Sequence, residues 1–179
     1  LLNERKTTYM HDAHQKHLTT HRARLHREAD AAFAQWAAGY GVIQHSPQTQ
    51  LRIFELAQLL VAQGRAASPA DVYRLLRAAD RVASAAMWLT VHMTYAQRVR
   101  WDGAALQPGE YKQTPEGHTG GSLNMVPAYA GYLAANSLTG HTRGWIMGQG
   151  HSVAGVEAGN LLVGNMLPIQ AQRYDLSDA

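Results

Sequence analysis

The stretch Gly144-Trp145-Ile146-Met147-Gly148-Gln149-Gly150-His151-Ser152-Val153 decides how the chain is read. Its glycine-bounded apolar run reads as a short buried strand, and Gly148-Gln149-Gly150 as the turn that closes it. Val153, Val156, Ala158, Leu161 and Leu162 then recur at helical spacing. Strand, glycine turn and helix in that order are the parts of an open parallel sheet, so the expected fold class is α/β. In such sheets ligands bind beyond the C-terminal ends of the strands, where helix N-termini offer unpaired N–H groups to anions.

Upstream of this stretch the signals are helical. Leu25, Ala29, Ala32, Phe33 and Trp36 predict a helix ending near Ala38, before Gly39-Tyr40-Gly41. Ser46-Pro47 is a cap followed by proline at the first helical position, and Leu51, Phe54, Ala57, Leu60 and Val61 extend that helix over 47–63. Ser68-Pro69-Ala70-Asp71 repeats the signal and opens a helix through Val72, Leu75, Leu76, Ala79, Val82, Ala86 and Leu89, reaching as far as Val99. From Arg100 to Gly121 turn signals replace any apolar period, and so long a loop in a compact domain is usually functional. A small-residue helix follows, with its cap expected near Asn124 and Pro127 in the first turn, where a missing N–H does no harm.

Composition narrows the chemistry. The 179 residues are 46% hydrophobic and 16% charged, which fits a globular chain. They contain no cysteine, so disulfides, thiolate metal sites, iron–sulfur ligation and thiol nucleophiles are excluded. Any metal would have to be held by histidine and oxygen. A formal charge of +3 from scattered residues does not imply nucleic acid. No run of eighteen apolar residues and no leader-like N-terminus occurs, so the chain reads as soluble and cytoplasmic, with no membrane partner. After Gly117 the only charged residues are Arg143, Glu157, Arg173, Asp175 and Asp178, while eleven of the sixteen glycines lie between Gly117 and Gly164. That weakly charged, glycine-rich stretch is where a site is expected.

His118, in Gly117-His118-Thr119-Gly120-Gly121-Ser122, and His151 are both loop histidines beside glycines. Imidazole there can donate, accept or carry a proton; the plainer alternative is that each caps a turn. Gly150-His151-Ser152-Val153-Ala154 approximates a hydrolase nucleophile elbow, but no histidine follows His151 to complete the triad in that fold's order. Gly148-x-Gly150 is a poor dinucleotide fingerprint, since Val153 stands where its third glycine belongs. His11, His14, His17 and His21 form one helical stripe with metal-ligand spacing, for which a solvated face is the preferred reading. Trp36, Trp88, Trp101 and Trp145 are expected in packing, His92 in the core, and Arg74, Arg77 and Arg81 in solvent.

The segment Gly117-His118-Thr119-Gly120-Gly121-Ser122-Leu123-Asn124-Met125-Val126-Pro127-Ala128 resembles the G-H-x-G element of transketolases, and its Leu123-Asn124 pair is more like phosphoketolases. Trp145-Ile146-Met147-Gly148-Gln149-Gly150-His151 is similar to the next element of both families, and Tyr174-Asp175-Leu176-Ser177 resembles the transketolase segment after it. The helix carrying Leu75, Leu76, Ala79 and Ala83 falls where these families place the one before G-H-x-G. The resemblance covers about a third of the chain.

It implies a thiamine-diphosphate-dependent lyase or transferase of carbohydrate metabolism, acting on a ketose phosphate of the xylulose 5-phosphate class. Carried over by position, His118 and His151 are catalytic and contact the donor sugar, Asn124 joins them in substrate binding, and Gly148 and Gly150 approach the cofactor. Residues 67–179 would be the first part of a diphosphate-binding parallel-sheet α/β domain, and residues 1–66 a helical N-terminal extension without counterpart. The families' G-D-G motif for Mg²⁺ and diphosphate follows both G-H elements, whereas the only Asp-Gly here, Asp102-Gly103, precedes them and inherits no such role. The metal ligands are therefore expected outside these residues. The implied protein is the front piece of a longer polypeptide, inactive alone and completed by further chain or a second subunit, with a homodimer or higher oligomer as the assembly. A phosphoketolase-related xylulose 5-phosphate epimerase is the alternative within the class. A non-catalytic helical interaction module is the alternative outside it.

Overall fold

A computed structural model describes the backbone of residues 2–100 and 102–172, with side chains from residue 12 onward in those ranges. Trp101, the Tyr174–Ser177 segment and the side chain of His11 lie outside the described residues. The described chain is helical: α1 (Leu2–Ala29), α2 (Ala31–Ala37), α3 (Pro47–Ala62), α4 (Pro69–Tyr95), α5 (Thr119–Thr139), α6 (Val153–Leu162) and α7 (Pro168–Ala171). It divides into two compact units, residues 1–77 and 78–179, with the division inside α4.

The expected α/β class is overturned, because no strand occurs among the described residues, only two isolated bridges, Tyr40 with Ile43 and Ala96 with Tyr111. Residues 144–148 are non-helical as expected, but they make no backbone–backbone hydrogen bond to a neighbour among the described residues. A strand is defined by its ladder partner, and without one an apolar tripeptide has nothing to pair with. Ile146 is accordingly 96% exposed, and Trp145 packs instead on Tyr129 and Tyr132 of α5, with ring centroids at 5.2 and 4.9 Å.

In the first unit, Asp30 interrupts what the periodicity runs together as one helix. Its extended backbone ends α1, and its carboxylate accepts the Phe33 N–H at 3.0 Å to start α2. Ser46 caps α3 in the same way through the Thr49 N–H at 3.2 Å. Phe33 and Trp36 of α2 are buried with Tyr73 of α4, the Phe33 ring lying 5.3 Å from Tyr73 and 5.6 Å from Phe54. Gln50, also buried, donates to the carbonyl oxygens of His45 at 2.8 Å and Ala37 at 3.4 Å, and accepts from Arg27 of α1. These bonds satisfy the last carbonyl of α2 and a carbonyl of the loop before α3.

In the second unit, α4 ends at Tyr95, short of Val99, and the chain folds back on it. Gln97 N–H donates to the Glu110 carbonyl and Lys112 N–H to the Tyr95 carbonyl, both at 2.9 Å. α5 begins at Thr119, not near Asn124, so Pro127 lies inside the helix and not in its first turn. Gly140 ends it in the left-handed region, φ 65°. α6 packs on α5 through glycine: a Cβ on Gly155 would meet the Ser122 carbonyl oxygen at 2.5 Å, and one on Gly159 the Tyr129 ring at 3.2 Å. Val82, Ala83 and Ala86 of α4 face Val126, Tyr129 and Ala130 across a seam too narrow for water. Close packing of small side chains, not a sheet, therefore positions the glycine-rich turns.

Candidate functional site

His118 is the N-cap of α5. Its Nδ1 accepts the Gly121 N–H at 3.2 Å, one of the donors that a helix start leaves without an internal partner. Histidine is an unusual cap, and sequence preference points away from it, towards Ser, Thr, Asp or Asn. An accepting Nδ1 must carry a lone pair, so the neutral ring holds its proton on Nε2, directed away from the helix.

His151 belongs to a 3₁₀ turn, Gly150–Ser152, that leads into α6. Ser122 Oγ donates to the His151 carbonyl at 3.3 Å, and the close approach of Gly155 to Ser122 presses this turn onto the first turn of α5. The two imidazoles consequently meet edge to face, with centroids 4.5 Å apart and planes at 62°, both on the exposed surface. Gly121 lies beneath them: a Cβ there would stand 2.8 Å from His118 Nδ1 and 2.8 Å from His151 Cδ2. The pair is thus formed at a helix start and a 3₁₀ turn, not at the ends of strands.

Other polar groups stand nearby. Thr119 Oγ1 donates to the Tyr95 phenol oxygen at 3.2 Å, which leaves the phenol's own hydrogen free to donate. Gly117, at φ 130°, turns the chain where a side chain would press on Thr94 at 3.4 Å. Ser152 is fully buried and its hydroxyl has no hydrogen-bond partner among the described residues. An elbow nucleophile must present its Oγ to substrate, so burial speaks against that role for Ser152.

The remaining candidates divide. Gly148 and Gly150 are exposed, with open space where side chains would be, so their backbone is accessible to a bound group. Asn124 is exposed on α5, one turn beyond Gly121 and on the same side of the helix. His14, His17 and His21 are exposed, and His21 shares a 3.2 Å contact with Arg24. Among the described residues no three His, Asp or Glu side chains converge as a metal centre. His92 is committed to its own helix, with Nδ1 3.0 Å from the Trp88 carbonyl and its ring tilted against the indole at 3.9 Å. Arg74 pairs with Asp71 at 2.8 Å, whereas Arg77 keeps one guanidinium nitrogen buried and unpartnered among the described residues, contrary to the solvated expectation. Gly121, Thr119 and Tyr95 are the neighbours that sequence reasoning did not single out, and Ser152 was weighed only as an elbow nucleophile. The Gly120-Gly121 pair was the one visible signal, since two adjacent glycines at a helix start sacrifice helix propensity.

Charge in the preceding loop is locally organised. Arg100 contacts Glu110 at 3.0 Å and Asp102 at 3.1 Å. Hydrogen bonds from the Gln107 N–H and from Arg100 hold the Glu110 carboxyl below the usual range, and bonds from the Ala104 N–H and Arg100 do the same for Asp102. No helix among the described residues is long and apolar enough to cross a membrane. In comparisons with known proteins, no family model, no curated protein and no solved structure matches the chain.

Proposed function

We propose that this chain forms the proton-handling part of a thiamine-diphosphate-dependent enzyme acting on a ketose phosphate of the xylulose 5-phosphate class. The reading is supported by one observation above all: His118 and His151, from separate turns, meet with ring centroids 4.5 Å apart on an exposed surface. A pair of imidazoles at that distance can serve the same small polyol.

The exposed turn leaves backbone accessible to a cofactor, and the metal ligands are expected outside these residues. Accessible backbone at Gly148 and Gly150 is compatible with a bound polar group. For Mg²⁺ the described residues supply no ligand cluster. Bound thiamine diphosphate would supply the carbon nucleophile and electron sink for cleaving the ketose carbon–carbon bond. His118, with Nδ1 engaged by Gly121, donates from Nε2 to an oxygen that gains negative charge. His151, whose ring carries no cap bond, takes the proton leaving a neighbouring hydroxyl. Asn124, one turn along α5, orients the sugar chain.

The test is titration calorimetry of the full-length protein with thiamine diphosphate and Mg²⁺, followed by xylulose 5-phosphate. Saturable heat and consumption of the sugar are expected. Acetyl phosphate formed with inorganic phosphate marks phosphoketolase chemistry, transfer to an aldose marks transketolase chemistry, and ribulose 5-phosphate marks the epimerase.

A second reading, a helical interaction module, is favoured by the apolar side chains that the second unit leaves uncovered, Ile146, Leu167 and Ile169. It predicts no heat with cofactor and no sugar consumption.

A further inference from the structure

Two glycines stand side by side in the first turn of α5, and the space around them differs. A Cβ on Gly120 would meet nothing within 4 Å, whereas one on Gly121 would intrude on both imidazoles, at 2.8 Å from His118 Nδ1 and at 2.8 and 3.1 Å from His151 Cδ2 and Nε2. Neither glycine has the positive φ that would demand glycine for backbone reasons. Alanine is the better helix former at such a position, so what Gly121 gives up in propensity has to be explained by its neighbours. Those neighbours are the two rings.

We propose that Gly121 is the positioning residue of the histidine pair. Its missing side chain sets the separation of the two imidazoles, and its N–H, donated to His118 Nδ1, holds that ring in the form protonated at Nε2. The two effects come from one residue, so the spacing of the pair and the direction of its proton are set together. The proposal rests on the reading of the pair as proton-handling groups, but the geometry it asserts can be measured without turnover.

A methyl at Gly121 meets ring atoms, which swing aside, and not backbone, which cannot. Gly121→Ala should therefore fold, with a thermal midpoint within about 4 °C of wild type. In the full-length protein with nitrogen-15-labelled histidine, long-range nitrogen–proton correlation spectra of the wild type should show His118 protonated at Nε2. They should also show ring-to-ring proton contacts between His118 and His151. Gly121→Ala should lose those contacts and shift His118 towards a mixture of tautomers, while Gly120→Ala should change neither. With ketose phosphate as substrate, Gly121→Ala should lower kcat by roughly 10²-fold with KM within about threefold, as misplacement of reacting groups does. Gly120→Ala should retain both values. Unchanged ring contacts and tautomer in Gly121→Ala would overturn the proposal, as would equal loss in Gly120→Ala. A wild type that turns over no sugar defeats the functional reading alone, and the spectra still decide the role of Gly121.

Discussion

Gly155 on α6 approaches Ser122 on α5 so closely that a β-carbon on the glycine would lie 2.5 Å from the serine's carbonyl oxygen and 3.1 Å from Val126 Cγ2. The obstacle is helix backbone, which cannot rotate away as a side chain can. Gly155→Ala should push α6 off α5 at a cost of about 1–3 kcal/mol, the usual range for overpacking. Ser122 also donates to the His151 carbonyl, so the same substitution should separate the imidazoles and lower turnover. Urea denaturation alongside steady-state kinetics checks both. A variant with wild-type midpoint and rate would show that the seam is loose.

Removing the imidazoles one at a time should reduce kcat by roughly 10²-fold for His118→Ala and for His151→Ala. On the proposed reading the two serve the same sugar in one step, one as donor and one as base, so the double variant should lose little more than either single variant. Strictly multiplicative losses would mean that the histidines work independently, and near-wild-type rates in both singles would remove the chemistry from them.

Burial, with a smaller contribution from the charge of Asp30, pushes the Tyr73 phenol up to about 12. The folded state therefore holds that proton more tightly than the unfolded chain, whose phenol titrates near 10. The associated stability, about 2–3 kcal/mol, is intact below about pH 10 and is lost as pH rises towards 12. Tyr73→Phe should remove this component from the alkaline unfolding curve. The Tyr73 hydroxyl has no hydrogen-bond partner among the described residues, so the phenylalanine variant should be no less stable at neutral pH. A wild-type alkaline slope in Tyr73→Phe would place the sensitivity elsewhere.

In the loop after α4, the Glu110 carboxylate accepts the Gln107 N–H at 2.7 Å and contacts Arg100 at 3.0 Å. Both interactions favour the ionised form, so the ordering they provide is present above the ordinary carboxylate range and is lost as pH falls through the depressed values of Glu110 and Asp102. The Gln107 amide resonance should move with that acid titration. Arg100→Ala should raise hydrogen exchange at Gln107, leaving the Lys112 amide, bonded to the Tyr95 carbonyl, near its wild-type rate. Equal exchange at Gln107 in variant and wild type would show that the guanidinium is not needed.

Which parts of this molecule the sequence disclosed follows from how local each signal was. Ser46-Pro47 and Ser68-Pro69 carry their own caps, and the helices they announce begin at Pro47 and Pro69. The break at Asp30 was hidden because its cap to Phe33 falls inside an uninterrupted apolar period. The start of α5 was misplaced because a histidine nitrogen does the work usually done by a hydroxyl or carboxylate. The run from Trp145 to Met147 has the composition of a strand, but composition does not supply a neighbour, and indole packing on two tyrosines took the place of a ladder. At the candidate site His118 and His151 were legible as residues. Their 4.5 Å meeting over Gly121 was not, since it depends on how α6 seats on α5, a matter of missing methyl groups at Gly155 and Gly159.

Trp145 leans on Tyr129 and Tyr132 a few residues before the turn that carries His151. Its indole is consequently a built-in optical reporter. The share of the emission that disappears in Trp145→Phe, and so is not that of Trp36, Trp88 or Trp101, should lose transfer from the two phenols and shift to the red once that segment lifts, so that share follows the seating of the second imidazole without an attached dye.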